Sequence, residues 1–416
     1  MPKHHKAVII GAGQAGLSVS YFLTKAGLPH VAFDKGTVAN SWSERWDSFS
    51  LVTPNWSINL PGHPYRGDDP NGFMPRDEFI DYMTQWAVGF DAPIRSGTTV
   101  NDITQHENGF ALATSAGPVT SQAVIVATST HQHLKVPAVA DCLPAHVTQM
   151  HAMSYKNPSQ VAADQAVLVV GSGQTGCQIV EDLLRAGRTV YLCVGHTGRL
   201  PRRYRGRDCI AWQRDMKLLD RTPDMLESPA HRFVGDPHVS GRDGGTTISL
   251  HDFHRRGVTL LGRLENATDD NFLLGKTLSD ELQFADAFAA RFYASVDAYI
   301  ADTNLDAPLP TTQELAGGPL DDDRPIEQLQ TLNAVDAGIS TVIWATGFSF
   351  DFSWIDFPVT DAFGYPVTQS GATSADGLYF CGLNWMTKRK SGILYGAADD
   401  AKIVADDVVK FLQTKA

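Results

Sequence analysis

Apolar residues along this chain fall into short unbroken runs that end in glycine, separated by stretches whose apolar positions recur every three to four residues. The first run, Ala7-Val8-Ile9-Ile10, enters Gly11-Ala12-Gly13-Gln14-Ala15-Gly16; Leu17, Val19 and Leu23 follow, and Val31-Ala32-Phe33 ends on Asp34. Unbroken runs predict strands buried on both faces, and the longer period predicts a helix between them. Each glycine of the turn has a stereochemical reason. Gly11 makes the tight turn, Gly13 lets a pyrophosphate approach the backbone, and Gly16 lets helix and strand pack closely. The helix N-terminus offers free N–H groups and the positive end of its dipole to phosphates. Asp34 lies 21 positions beyond Gly13, where a carboxylate accepts the hydroxyls of a ribose. With strand, helix and acid in register, the stretch predicts a dinucleotide-binding unit rather than an ordinary glycine turn.

The pattern returns 160 residues later. Val167-Leu168-Val169-Val170 precedes Gly171-Ser172-Gly173-Gln174-Thr175-Gly176, with Ile179, Val180, Leu183 and Leu184 on one helical face and Val190 to Val194 as the next strand. Two such units with flanking elements of the right length are far more specific than one. The copies differ at the strand end. A step of 21 from Gly173 lands on Val194, and Arg199, Arg202, Arg203, Arg205 and Arg207 follow in place of an acid. Guanidinium groups bind a 2′-phosphate that a carboxylate would repel, so the second unit is expected to take NADPH rather than NADH. The bland alternative is a solvated basic loop.

Between the units, Ser41 to Gly62 is rich in proline, glycine and asparagine and reads as an irregular loop, with Trp42, Trp46 and a Thr53-Pro54-Asn55-Trp56 kernel. It is either a structural cover on the first sheet or a wall of the cofactor site. Arg76 to Met83 has helical periodicity, and residues 98–100, 110–114 and 123–128 read as strands. Residues 212–336 are the least legible, with a strand near Val258 to Leu261 and a helix over Phe284 to Ile300 whose Phe288, Phe292, Val296 and Ile300 share a face. His251 and His254 have no carboxylate or cysteine partner in the sequence pattern, so no metal site is expected. Thr341 to Gly347 echoes Val124 to Thr128, Gly377 to Leu383 is a strand with a glycine turn, and Ile393 to Phe411 is a closing helix. The strand at 377–383 is expected to rejoin the first sheet.

At 416 residues, with 43% hydrophobic and 19% charged residues, the chain has room for two or three cores and is not disordered. A net charge of −12 argues against nucleic acid or an anionic membrane as partner. No apolar stretch approaches a membrane span, so the protein is expected to be soluble and cytoplasmic. Its five cysteines are not spaced in C-x-x-C pairs and none precedes Cys142, which leaves no close redox pair of the kind that flavoprotein disulfide reductases carry.

Two glycine fingerprints, the first acid-tipped and the second arginine-tipped, with paired Ala-Thr strand ends, resemble the two-dinucleotide-binding-domain flavoproteins, and within them the class B flavin-containing monooxygenases. The resemblance implies an α/β fold of two Rossmann-like domains. A discontinuous FAD domain (1–160 and 340–416) would hold an inserted NADPH domain (161–339). FAD would contact Gly11, Gly13, Gln14, Gly16, Asp34, Lys35, Trp42, Val100, Gly382 and Leu383. NADPH would contact Gly171, Gly173, Gln174, Thr175, Gly176, Arg199 and Arg202. Asn55 falls where the family has an asparagine touching both flavin and nicotinamide, with Asn59 as the competing candidate. The family's linker motif is half present: His151 to Lys156 matches its second half, while Ala145 and Val147 replace its aromatic and glycine. Tyr155-Lys156 stands where Baeyer–Villiger members place tryptophan and proline or aspartate. The implied reaction is hydride transfer from NADPH to FAD, formation of a flavin 4a-hydroperoxide with molecular oxygen, and oxygen transfer to a small-molecule substrate; a homodimer is compatible with it. The alternatives are an NADPH oxidase or reductase that releases hydrogen peroxide, and a flavin-binding accessory protein without turnover.

Overall fold

A computed structural model describes residues 2–321 and 323–415. The first unit forms as its pattern requires: strand β1 (Lys3–Ile10), helix α1 (Gln14–Lys25) and strand β2 (His30–Phe33), with β1 and β2 parallel and Val8 opposite Val31. On its other side β1 runs parallel to Val119–Val126, placing Val8 beside Val124. Strand Leu378–Phe380 pairs in parallel with the end of Val119–Val126, so the first sheet takes strands from both ends of the chain. The closing helix, Ala397–Thr414, packs on α1. An antiparallel hairpin, Val100–His106 with Gly109–Thr114, extends this sheet at one edge, and Ile94–Arg95, parallel to β2, closes the other. The hairpin's first strand is longer than the sequence suggests. Asn101, Asp102, Gln105 and His106 interrupt any apolar run, and the pairing comes from the neighbouring strand.

The second sheet is wholly parallel. Its order is Thr148–His151, Ile339–Trp344, β3 (Ala166–Val170), β4 (Thr189–Cys193) and Thr259–Leu261. Helix α2 (Gln174–Arg185) joins β3 to β4. The expected domain limits at 160/161 and 339/340 are corrected here, because Thr148–His151 and Ile339–Trp344 both lie in this sheet. The chain crosses between sheets earlier and later than expected, and the two crossings run side by side as a ribbon of His133–Leu134 with Phe348–Ser349. These pieces are too short and polar to register as strands by pattern.

The segment 212–336 resolves into strand Thr259–Leu261, a three-stranded sheet (Leu264–Thr268, Asn271–Leu274, Thr331–Asn333) and the long helix Leu278–Thr303. That helix buries Leu282, Ala285, Ala289, Phe292, Val296 and Ile300. Of the expected face, Phe292, Val296 and Ile300 are buried and Phe288 is half-buried against Gly198. One apolar cluster holds Leu17, Trp46, Phe79 and Trp86 together with Val167, Val169, Ile179 and Leu260, so the core is continuous between the two sheets. Among the described residues no helix is long and apolar enough to cross a membrane.

Candidate functional site

The two glycine turns have the same geometry. Gly11 has φ of +101° and donates its N–H to the Phe33 carbonyl at 2.7 Å; Gly171 has φ of +107° and donates to the Cys193 carbonyl at 3.0 Å. Both need the left-handed region that glycine alone enters freely. An added Cβ would lie 2.5 Å from the Ala127 oxygen at Gly11 and 2.6 Å from the Ala345 oxygen at Gly171. At Gly16 and Gly176 it would strike the carbonyl of the turn's own first glycine. A Cβ added at Gly13 or Gly173, in contrast, would meet nothing within 4 Å. The first and third glycines therefore serve packing, and the second leaves open space over a helix N-terminus, which fits a pyrophosphate.

The first cradle gathers most of its expected residues. Asp34 accepts the N–H groups of Ala12 at 2.7 Å and Gly36 at 2.8 Å, which ties strand end to turn and leaves carboxylate lone pairs for ribose hydroxyls. The Asp34 backbone bonds to Arg95 and Thr98, bringing the start of the Val100 strand alongside; Lys35 is exposed. Gly382, with φ of +80°, would place a Cβ 2.5 Å from the Ala15 methyl, so Gly382 and the buried Leu383 sit against the first turn of α1. Gln14 donates to the Gly392 carbonyl at 3.5 Å. Trp42 packs edge-on against Phe79 at 4.8 Å, and its buried indole N–H has no acceptor among the described residues. That orphaned donor fits an acceptor supplied by a bound cofactor.

In the second cradle Ser172 takes over the tie that Asp34 makes in the first. Its hydroxyl accepts the Gly195 N–H at 3.0 Å and donates to the Gly195 carbonyl at 3.3 Å. Counting from the strand end misses it, because the bond comes from the turn. Thr175 is half-buried in the first turn of α2. Gln174 uses its side chain within the fold: the amide accepts the Val239 N–H at 3.0 Å and donates to the Val239 carbonyl, so it clamps residues 235–240.

The arginine run divides. Arg202 is 2% exposed and gives two donors to Asp208, at 2.8 and 2.6 Å, and a third to the Val52 carbonyl at 2.8 Å. Its assignment to the 2′-phosphate is therefore corrected, since the guanidinium is satisfied internally. Arg203, Arg205 and Arg207 are held by the Gly244 and Gly245 carbonyls, by Asp297 and by Asp215. Arg199 differs. Its Nη2 meets Asp286 at 2.8 Å, while its buried Nε and Nη1 have no acceptor among the described residues. His238, fully buried and with no partner for either ring nitrogen among the described residues, is joined to Arg199 by a backbone bridge. Burial first, and the Arg199 charge second, lower its pKa to about 4. Two orphaned donors beside a neutral histidine fit an anionic group. His238 carried no sequence signal, because it lies 39 residues beyond Arg199 in the least legible segment.

Asn55 is also corrected. It is buried, accepts the Met74 N–H at 2.8 Å and donates to the Asp69 carbonyl at 2.9 Å, so its amide fixes its own loop. Asn59 is half-buried and donates to the Tyr395 carbonyl at 3.4 Å, beside the Trp56 ring. His251 does have a carboxylate partner, Asp286, at 2.9 Å. Cys177, Cys193, Cys209 and Cys381 are buried and Cys142 is exposed; burial pushes the Cys193 and Cys209 thiols up to about 12.

A family profile described as pyridine nucleotide-disulphide oxidoreductase matches residues 8–207. An uncharacterized CzcO-like oxidoreductase of Geobacillus kaustophilus is 31% identical over 408 residues, covering 97% of each chain. The indole-3-pyruvate monooxygenase YUCCA1 of Oryza sativa is 29% identical over 55% of this chain and 58% of its own. The flavin-containing monooxygenase of Stenotrophomonas maltophilia shares the fold, with a TM-score of 0.65 at 18% identity over 98% of this chain and 99% of its own. With its two Rossmann-like cradles and near full-length similarity to the first of these relatives, the chain belongs to the CzcO-like oxidoreductases, flavoproteins similar to the class B flavin-containing monooxygenases.

Proposed function

We propose that this oxidoreductase is an FAD-dependent monooxygenase that consumes NADPH and passes one atom of molecular oxygen to a small organic substrate, at nitrogen, sulfur or activated carbon. The observation that carries the reading is the pair of open cradles over Gly13 and Gly173 in a chain whose cysteines include no C-x-x-C pair. When bound, FAD accepts hydride from NADPH and activates oxygen. The chain supplies binding, orientation and dryness. The N-termini of α1 and α2 face the two pyrophosphates, and Asp34 takes the FAD ribose. Arg199, beside His238, holds the anionic end of NADPH. Trp42, Trp46, Phe49 and Phe79 form an apolar wall beside the first cradle, where water would otherwise compete with oxygen transfer. All five cysteines are free, which suits a reducing cytoplasm.

A second reading, an NADPH oxidase that releases hydrogen peroxide, is favoured by one observation: the Asn55 amide is taken up by its own loop and is not offered to a nicotinamide. Peroxide released per NADPH, with and without amines, sulfides and ketones, separates the two. The monooxygenase reading expects an added substrate to lower that ratio and to gain one atom from labelled dioxygen. One peroxide per NADPH whatever is added makes the protein an oxidase, and no NADPH consumption by the FAD-loaded protein removes both readings.

A further inference from the structure

Helix α2 carries the nicotinamide cradle at its N-terminus, and about two turns along it stands a buried carboxylate, Asp182, at 4% exposure. Three donors from three separate stretches converge on it. Ser48 Oγ, from the loop that follows Trp46, donates to Oδ1 at 2.7 Å. Tyr155 Oη, from the crossing between the sheets, donates to Oδ2 at 2.8 Å. Arg242 Nη1, from residues 240–246, donates to Oδ1 at 2.7 Å. The 240–246 strap lies between α2 and the loop of the first domain. A Cβ on Gly241 would strike the Leu51 carbonyl, and one on Gly245 would lie 2.5 Å from the Phe73 ring. The neighbouring Glu181 accepts Thr246 Oγ1 at 3.2 Å, which pins the same strap a second time.

We propose that Asp182 is a positioning residue that sets how the nicotinamide cradle faces the flavin cradle. The proposal rests on the reading that NADPH reduces bound FAD in this chain. Asp182 touches neither cradle; it acts through Ser48 and Tyr155. A buried carboxylate is strongly unfavourable unless paired and hydrogen-bonded, so any rotation of α2 away from Ser48 and Tyr155 strips it of donors. Other contacts cross the junction too, among them Arg202 to Val52, but Asp182 is the point at which the cradle helix, the flavin-side loop, the crossing and the strap meet. Hydride transfer is steeply sensitive to misplacement at the scale of an ångström.

The test uses the FAD-loaded full chain and follows anaerobic flavin reduction by NADPH. Asp182→Asn is expected to retain FAD and to keep its Kd for NADPH within about threefold, while reduction at saturating NADPH slows by about 10–100-fold. Asp182→Glu, which restores the charge, is expected to recover part of the rate. Tyr155→Phe alone is expected to slow reduction, yet to add nothing on top of Asp182→Asn, because the single amide oxygen stays with Ser48 and Arg242 and the NH2 that replaces the second oxygen cannot accept from Tyr155. A wild-type rate in Asp182→Asn overturns the proposal, as does a rise in Kd that accounts for the whole loss, or additivity with Tyr155→Phe. If Asp182→Asn fails to fold, Tyr155→Phe and Ser48→Ala decide it by the same split between rate and Kd. Wild type that NADPH cannot reduce refutes the underlying redox reading, a result distinct from a reducible wild type matched by its variants.

Discussion

Gly13 and Gly16 stand three residues apart and fail differently when given a side chain. Gly13→Val points into open space, so the apo fold is expected to melt near the wild-type temperature while the purified protein loses its yellow flavin. Gly16→Ala meets the Gly11 carbonyl and is expected to cost about 1–3 kcal/mol by overpacking, with the melting temperature as readout. A Gly13→Val protein that keeps a normal flavin ratio would dismiss the first cradle as the FAD site. The two arginines are a similar contrast. Arg202→Gln strands the Asp208 carboxylate and is expected to cost about 3–5 kcal/mol of stability without changing the choice between NADPH and NADH. Arg199→Gln is expected to raise the KM for NADPH about 10-fold or more, worth about 1.5–3 kcal/mol, and to leave NADH almost unaffected. An unchanged ratio in Arg199→Gln takes the 2′-phosphate away from this pocket. Glycine roles were legible because φ and close packing allow one residue type. Arginine roles were not, because the partner that claims each guanidinium lies elsewhere in the fold. The same pocket predicts acid sensitivity. His238 has its pKa lowered to about 4, burial being the larger cause. It is neutral when folded, so the unfolded chain takes up a proton first as pH falls through 6.5. Its contribution to stability is full above that value and drains away down to about 4, by up to about 1.4 kcal/mol per pH unit. His238→Asn should flatten this slope in melting curves taken across the window, and an unaltered slope would show that other groups carry it.

At the scale of elements, strands read as unbroken apolar runs and helices with a clear period were found where expected, because burial on both faces of a parallel sheet leaves little sequence choice. What escaped were elements made by their neighbours. The strap at 240–246 has no periodicity and is held by Glu181, Asp182 and the Leu51 loop. The small helix Leu250–Arg255 is too short to stand out, and Ser249 caps it through the Asp252 N–H at 3.1 Å. Gln174 shows what a repeat does not reveal. It matches Gln14 in the first turn, yet in the second it holds Val239 by two hydrogen bonds. Releasing that clamp should loosen an element without emptying a cradle. In Gln174→Ala, FAD content is expected to stay normal, amide exchange at Val239 and its neighbours to quicken, and the KM for NADPH to rise about 3–10-fold, in line with loss of one or two neutral hydrogen bonds. Normal exchange at Val239 in the variant would mean that the backbone bridge between Arg199 and His238 suffices to hold the segment.

For the whole molecule, the open question is which chemistry a two-cradle flavoprotein performs, since the matching family profile carries disulphide in its description and the fold alone does not choose. A disulfide reductase needs an accessible thiol that forms its thiolate readily and a partner to exchange with. Here four cysteines are buried, the Cys193 and Cys209 thiols are pushed up to about 12 by burial, and Cys177 and Cys381 are pushed in the same direction. Burial that raises a thiol's pKa suppresses the nucleophile. The exposed one, Cys142, lies in the 3-10 turn Ala138–Cys142, at the edge of the second sheet. Cys177 meets the second cradle only from its buried side, where its thiol donates to the Ser172 carbonyl at 3.2 Å, and Cys381 precedes Gly382 with its thiol enclosed in the first core. Turnover that depends on flavin and oxygen therefore has no use for these sulfurs. Cys142→Ser, and separately alkylation of the native protein under non-denaturing conditions, are expected to leave NADPH consumption and oxygen uptake within about twofold of the untreated enzyme, a change of less than about 0.5 kcal/mol in the barrier. Disulfides added as substrates should not accelerate NADPH oxidation. If alkylation of one thiol stops turnover, or a disulfide draws electrons from NADPH in place of oxygen, the sulfur chemistry is real and the oxygenase reading gives way to a reductase.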